Sequence, residues 1–307
     1  MYISERIGLG SRIAEYLILI FLRIVSLTPK SWNEPLASLM YFIGRPMMKK
    51  DFGRIATNIA AIYGLSKDSE FSMIFQKQVM RHQIISNLES ITAIYRPGNI
   101  EIEGFDEFKN LVERVYEKAR SIIFISGHIG CWELIGYYIA LATGRTFTAL
   151  AKPSKIKAVT RVLDTTRRKL NASLIWTDTV DLYGQMLETL EKGHSLGFVM
   201  DQKPSKKRGV IVEFFSHPTE YVRGPAQISL LSNCPIIGIF CIRTGLSRYR
   251  IISMKLIESD HRIKDETIIT QILAAEIEQV IKTYPEQWVW NYRRWNFGPK
   301  EYSFPER

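Results

Sequence analysis

A histidine and a carboxylate stand five positions apart in Ser126-Gly127-His128-Ile129-Gly130-Cys131-Trp132-Glu133, directly after the apolar run Ile122 to Ile125. An imidazole that takes a proton needs a partner to hold its ring and stabilise its cation. On one continuous helix, residues i and i+5 point about 140° apart at roughly 3.6 residues per turn. His128 and Glu133 therefore meet only if the histidine sits in a loop and the glutamate in the first helical turn. Gly127 and Gly130 allow such a strand-to-helix turn. The N–H groups of Gly130 and Cys131, at the start of that helix, would be free to stabilise a developing oxyanion. The competing reading is a structural histidine in a tight turn, with Glu133 merely favouring the helix N-terminus.

No GxSxG nucleophile elbow is present, since Ser126 precedes the histidine on the strand. Cys131 is the only cysteine beside the motif. Direct general-base catalysis on a substrate hydroxyl fits these residues better than a covalent intermediate. The five histidines are scattered, with no HExxH, so neither a metal nor a cofactor is expected. Cys131, Cys234 and Cys241 show no paired spacing and read as reduced thiols in a cytosol-facing protein.

The elements that must carry this site follow from periodicity. Residues 35–96 repeat apolar residues at helical spacing, through Ile55, Ile59 and Ile62 and again through Phe71, Ile74, Phe75 and Val79. Arg96-Pro97-Gly98 breaks the pattern. Strands are predicted over residues 100–104, 121–126, 146–151, 173–176, 196–200, 210–215, 235–242 and 249–257. Helices are predicted between them over 105–119, 132–142, 156–170, 180–191, from Gly224-Pro225 to near Asn233, and over 265–283. Strands alternating with helices argue for an α/β fold with a mostly parallel sheet flanked by helices. In such sheets ligands bind at the carboxyl ends of the strands, where His128 would sit.

The net charge of +10 over 307 residues favours an anionic partner. Two basic stretches stand out. One is the predicted helix with Lys152, Lys155, Lys157, Arg161, Arg167, Arg168 and Lys169 against the single Asp164; the other is the loop Lys203, Lys206, Lys207, Arg208. Either is also readable as a solvated face. No recognisable nucleic-acid-binding module is present, which argues against that partner. From Ile13 to Leu27 the chain is nearly all apolar. The segment is short of the about 20 residues that span a bilayer, and it lacks a small-residue cleavage site. Its polar residues, Arg12, Glu15, Arg23 and Ser26, fall within an arc of about 80° on a helical wheel. A membrane-associated helix, lying in the interface or tilted as a short anchor, is the preferred reading over a helix packed under the domain. Lys30, Arg45, Lys49, Lys50 and Arg54 follow it and would suit an anionic leaflet. The expected organisation is thus a membrane-associated helix over residues 1–30 and a catalytic domain over 31–307.

Gly127-His128-Ile129-Gly130-Cys131-Trp132-Glu133 resembles the H-x4-D/E motif of glycerolipid acyltransferases, and more closely the G-H-x-G-x-W-E form of the lipid A late acyltransferases. Asp201-Gln202, Gly209-Val210-Ile211-Val212-Glu213-Phe214-Phe215 and Gly224-Pro225-Ala226 resemble that family's D-Q, G-V-x-V-x-F-F and G-P-A block. Trp288-Val289-Trp290-Asn291-Tyr292-Arg293-Arg294-Trp295 is similar to its tryptophan-rich ending, and Ile55-Ala56-Thr57-Asn58-Ile59 to its I-A-x-x-N-L. H-x4-E alone is a weak signal; the ordered set over nearly the whole chain is a strong one. Two positions depart from the pattern. Ala151-Lys152-Pro153 stands where the family usually has Y-R-P, and lysine keeps the charge without the planar bidentate fork. Glu213 stands where proline is usual.

The resemblance implies a fold like that of the glycerolipid acyltransferases. It also implies an activity: transfer of a fatty acyl chain from acyl carrier protein thioester to a hydroxyl of a lipid A precursor, at the cytoplasmic face of the inner membrane. His128 would be the general base and Glu133 would orient its ring. Gly130, Lys152, Asp201, Gln202, Arg223 and Gly224 are the expected substrate-binding positions, with Arg223 at a helix N-terminus that favours anions. The basic stretches would meet either the acidic carrier protein or the anionic headgroup of the acceptor. Another glycolipid or a phosphoglycerolipid as acceptor, and a catalytically silent membrane-binding relative, are the alternatives. Trp288, Trp290 and Trp295 are expected either to pack the C-terminal segment on the core or to form a membrane-interface belt.

Overall fold

Ile123-Phe124-Ile125-Ser126 is buried at every position, as befits a central parallel strand covered on both faces. The computed structural model describes residues 9–169, 171–204, 209–258 and 263–295. Its elements run in chain order as α1 (Leu9–Ser26), α2 (Asn33–Gly44), α3 (Lys49–Tyr63), α4 (Glu70–Tyr95), β1 (Glu101–Glu103), α5 (Phe105–Tyr116), β2 (Ile123–Ser126), α6 (Ile135–Thr143), β3 (Phe147–Ala151) and α7 (Lys157–Lys169). There follow β4 (Ala172–Trp176), α8 (Leu182–Glu191), β5 (Ser195–Val199), β6 (Gly209–Phe214), β7 (His217–Val222), α9 (Gly224–Ser232), β8 (Ile236–Gly245), β9 (Arg248–Ile257) and α10 (Glu266–Thr283).

Seven strands form one sheet in the order β1-β9-β8-β2-β5-β3-β4. All neighbours pair in parallel except β8 with β9. The fold is therefore the mostly parallel α/β arrangement that alternating strands and helices predict. One face is covered by α5 and α6, around Phe108, Phe124, Ile139 and Phe147; the other is covered from α8 to α10, around Ile125, Phe198, Leu273 and Ile277. Helix ends follow their sequence signals. Ser69 accepts from Ser72 N–H at 3.2 Å and Asp265 from Thr267 N–H at 2.6 Å, as N-caps do. Gly64, Gly144 and Asn233 end α3, α6 and α9 in the left-handed conformation.

The β6–β7 hairpin was not fully legible. Its first strand was expected; its second, β7, was not. The two-residue turn is Phe215-Ser216, with φ of +53° and +59°. Hairpin turns with two positive φ values usually announce themselves with Asn or Gly. Here tertiary contacts hold the strained pair: Phe215 N–H donates to Glu278 at 2.6 Å, and the Phe215 ring stacks on Trp288.

Helix α1 packs on α4 and α7 with an unusual distribution of polarity. Its inward face carries Glu15, ion-paired with Arg161 of α7, and Ser11, whose hydroxyl accepts from Arg161 at 2.8 Å. Its outward face carries Ile13, Tyr16, Leu17, Ile20, Phe21 and Ile24, each at least half exposed. Trp32, Leu39, Phe42 and Ile43 in the following segment are likewise exposed. No helix among the described residues is long and apolar enough to cross a membrane.

Candidate active site

Two adjacent parallel strands deliver the site. Ser126 of β2 is paired with Val199 of β5, so the chain two residues beyond each strand reaches the same spot at the carboxyl edge of the sheet. Those residues are His128 and Asp201. His128 Nδ1 lies 2.6 Å from Asp201 Oδ1, and the His128 backbone N–H donates to Asp201 Oδ2 at 2.9 Å. Gln202 extends its amide to 3.2 Å from His128 Nε2. With Nδ1–H donating to the carboxylate, Nε2 carries the lone pair that the Gln202 amide N–H meets. The carboxylate side is sealed, Asp201 being 2% exposed, while the His128 side chain keeps 21% of its surface open. That is the geometry of a braced base with its reactive nitrogen facing outward.

The loop that holds His128 is fixed by backbone contacts from distant segments. Gly130 has φ +61°, and a Cβ there would stand 2.1 Å from the Cys241 carbonyl oxygen, so only glycine fits. Gly130 N–H donates to Gln287 O at 3.1 Å, Cys131 N–H to Cys241 O at 2.8 Å, and Val289 N–H to His128 O at 3.1 Å. Trp288 bridges Ile129 in an antiparallel pair and donates its indole N–H to Asp201 Oδ2 at 2.7 Å. The tryptophan-rich segment is in turn held by Asn58 of α3, whose amide donates to Trp290 O at 2.7 Å and Tyr292 O at 3.0 Å. The two sequence motifs furthest apart in the chain thus meet behind the histidine.

Burial by itself would lower the His128 pKa. The charge of Asp201 and its hydrogen bond outweigh that, aided by the charge of Glu133, and the pKa is raised from its ordinary 6.5. Burial would raise the Asp201 pKa, but the His128 charge and the bonds from His128 and Trp288 pull it below the usual carboxylate value. Burial pushes the Cys131 thiol well above its ordinary value, which removes it as a nucleophile at neutral pH.

Several sequence-predicted roles change. Asp201, not Glu133, holds the imidazole. Glu133 is instead gripped by Arg167 of α7, which donates to Oε1 at 2.9 Å and to Oε2 at 3.1 Å through one nitrogen and at 3.2 Å through Nε. Glu133 does sit at the start of a helical turn, Trp132–Leu134, as the spacing requires. Sequence spacing favoured it because it is near in the chain; Asp201 is seventy-three positions away and only the parallel sheet brings it close. Asp201 is correspondingly too buried for the substrate contact expected of it. Gly130 and Cys131 do not offer free N–H groups, since both are spent on backbone carbonyls. Gly130 shapes the loop, with its N–H held by the Gln287 carbonyl. Arg223 donates to Glu266 at 3.0 Å, and Gly224 packs near Phe198, on the sheet face away from α6. Lys152 is exposed at the carboxyl end of β3.

The basic helix is largely self-occupied: Arg161 binds Glu15, Arg167 binds Glu133, Arg168 binds Asp164 at 2.9 Å, and Lys169 sits 4.3 Å over the Tyr95 ring. Lys203 lies 4.0 Å from Glu220, and Lys206, Lys207 and Arg208 fall outside the described residues. Trp288, Trp290 and Trp295 are all buried, so they pack the C-terminal segment and form no membrane belt. The role of Trp288 on Asp201 was not legible, because an indole donor gives no spacing signal.

A cavity of about 70 Å³ opens beside this centre, with Ser126, Trp132, Glu133 and Arg167 at its mouth and apolar side chains beneath. No group of His, Cys, Asp or Glu among the described residues could hold a metal ion. The arrangement can deprotonate a hydroxyl next to a narrow apolar pocket. No curated protein matches the sequence. The sequence model of the bacterial lipid A biosynthesis acyltransferases does match, over residues 6–296. With His128 at the carboxyl edge of the sheet and that match spanning nearly its whole length, the chain belongs to the bacterial lipid A biosynthesis acyltransferase family.

Proposed function

We propose that this protein moves a fatty acyl group from acyl carrier protein thioester to a hydroxyl of a lipid A precursor, at the cytoplasmic face of the inner membrane. The observation that carries the reading is His128, braced at Nδ1 by Asp201 with Nε2 turned outward. The acceptor hydroxyl replaces the Gln202 amide at Nε2. Its proton passes to Nε2 as its oxygen attacks the thioester carbonyl. The tetrahedral intermediate collapses, the C–S bond breaks, and the departing sulfur takes the proton from Nε2. Asp201 stabilises the imidazolium formed in between, and Glu133 adds negative charge nearby. General-base assistance of this kind is worth about 10²–10⁴ in rate.

The acidic carrier protein would meet exposed cations at the rim, including Lys152 and Lys155. The outward apolar face of α1 supports an interfacial placement, since an exposed apolar surface of this kind marks a contact with another apolar phase. The test is transfer by purified protein from labelled acyl carrier protein thioesters and from coenzyme A thioesters to a panel of lipids. Transfer from the carrier to the lipid A precursor is the expected result. Transfer only to a phosphoglycerolipid would replace the acceptor, and no transfer to any lipid would overturn the reading.

A further inference from the structure

The apolar cavity near His128 has Phe147 among its lining side chains. Its walls come from the α6-facing side of the sheet and from α6 itself, and they include four residues with little or no side chain: Gly136, Ala149, Ala172 and Gly197. In the parallel register Phe147 lies opposite Ser195, and Ala149 opposite Gly197. The Phe147 ring leans along the strand, toward the carboxyl edge, and lies across Gly197: a Cβ at Gly197 would stand 2.3 Å from the ring Cζ. The same ring abuts α6, where a Cβ at Gly136 would stand 2.8 Å from Cε1. Two glycines on facing elements thus make a slot, and one phenylalanine fills it. Phe147 is 5% exposed and lines the cavity together with Glu133 and Arg167. A cavity this narrow and apolar suits a straight hydrocarbon chain.

We propose that this cavity takes the acyl chain of the donor and that Phe147, seated between Gly136 and Gly197, is its floor and sets the chain length accepted. The inference rests on the acyltransfer reading and adds a specificity-determining residue to it. A fatty chain could come from the thioester donor or from an acyl group already on the acceptor lipid. The donor is favoured because the cavity mouth lies beside His128, whose ring faces Trp132 with centroids 5.3 Å apart, where the thioester carbonyl must sit.

An apolar pocket distinguishes neighbours in a homologous series by about 10–200-fold per misplaced methylene. Phe147→Ala should therefore raise the long-to-short ratio of kcat/KM at least about tenfold, read in competition among saturated acyl carrier protein thioesters of graded length. Phe147→Leu should move it less, in the same direction, and covers the case in which the alanine variant folds poorly. Gly136→Ala should push the ring inward and favour shorter donors. Binding of free saturated fatty acids, followed by the emission of Trp132 at the mouth, reads the pocket without turnover and should lengthen its preference in Phe147→Ala. Length-dependent binding without transfer by the wild type would uphold the pocket and sink the acyltransfer reading. Folded Phe147 variants with unchanged donor and fatty-acid preference would overturn the proposal. A shift with acceptor chain length alone would overturn the donor assignment.

Discussion

The raised proton affinity of His128 comes from the carboxylate behind it. Asp201 is buried and accepts three hydrogen bonds, two from His128 and one from Trp288, so its charge is directed at the imidazole. His128→Ala should lower kcat by about 10²–10⁴ without a comparable loss of stability, measured by transfer assay and thermal melt. Trp288→Phe keeps the ring and removes the N–H. Hydrogen bonds to charged groups contribute about 1.5–3 kcal/mol, so kcat should fall by roughly tenfold or more, and a kcat equal to wild type would deny the indole its positioning role. At this scale the sequence yields the histidine and misassigns its partner. Glu133 is close in the chain, and proximity in sequence is all that spacing can measure. Asp201 lies at the end of a different strand, and the contact depends on β2 and β5 being neighbours, which no local pattern encodes.

The strands and later helices are largely readable, because burial on both faces of β2 and β5 leaves continuous apolar runs, whereas the helical stretch read over residues 35–96 is divided into α2, α3 and α4. The exceptions are turns whose conformation is enforced from outside. Phe215-Ser216 adopts positive φ under the hold of Glu278 and the tryptophans, so β7 lacked its usual signal. Gly130 is the opposite case, a glycine read correctly as a turn and incorrectly as an anion donor. Gly130→Ala must move the Cys241 strand or the His128 loop. It should destabilise by more than about 1 kcal/mol and lower kcat, since displacement by an ångström at a reacting group is costly. Unchanged melting and activity would show that the loop is not held as described.

For the molecule as a whole, the polarity of α1 is the informative feature. Ser11 and Glu15 turn inward to Arg161, while Ile13, Tyr16, Leu17, Ile20, Phe21 and Ile24 turn out. The helical wheel groups Arg12, Glu15, Arg23 and Ser26 in one arc; it does not show that Glu15 is paired with Arg161 of α7. Leu17→Glu with Phe21→Glu, on the outward face, should release the protein from anionic lipid vesicles in a sedimentation assay while leaving its melting temperature nearly unchanged. Removal of residues 1–28 should release it as well. Continued sedimentation of both variants would place the main membrane contact elsewhere.

The proposed transfer requires His128 to be a neutral base whose proton affinity is set by Asp201. With its pKa raised above 6.5, the histidine becomes protonated, and catalysis should fade, as pH falls through a value above that figure. In Asp201→Asn the charge is gone, and burial, which lowers the histidine pKa, is opposed chiefly by the charge of Glu133. The pH dependence of kcat/KM for acyl transfer, measured for wild type, Asp201→Asn and Glu133→Gln, decides the matter. The expected result is an acid limb that moves to lower pH in Asp201→Asn together with a large fall in maximal rate, and moves much less in Glu133→Gln. An acid limb unmoved by Asp201→Asn, or moved mainly by Glu133→Gln, would contradict it.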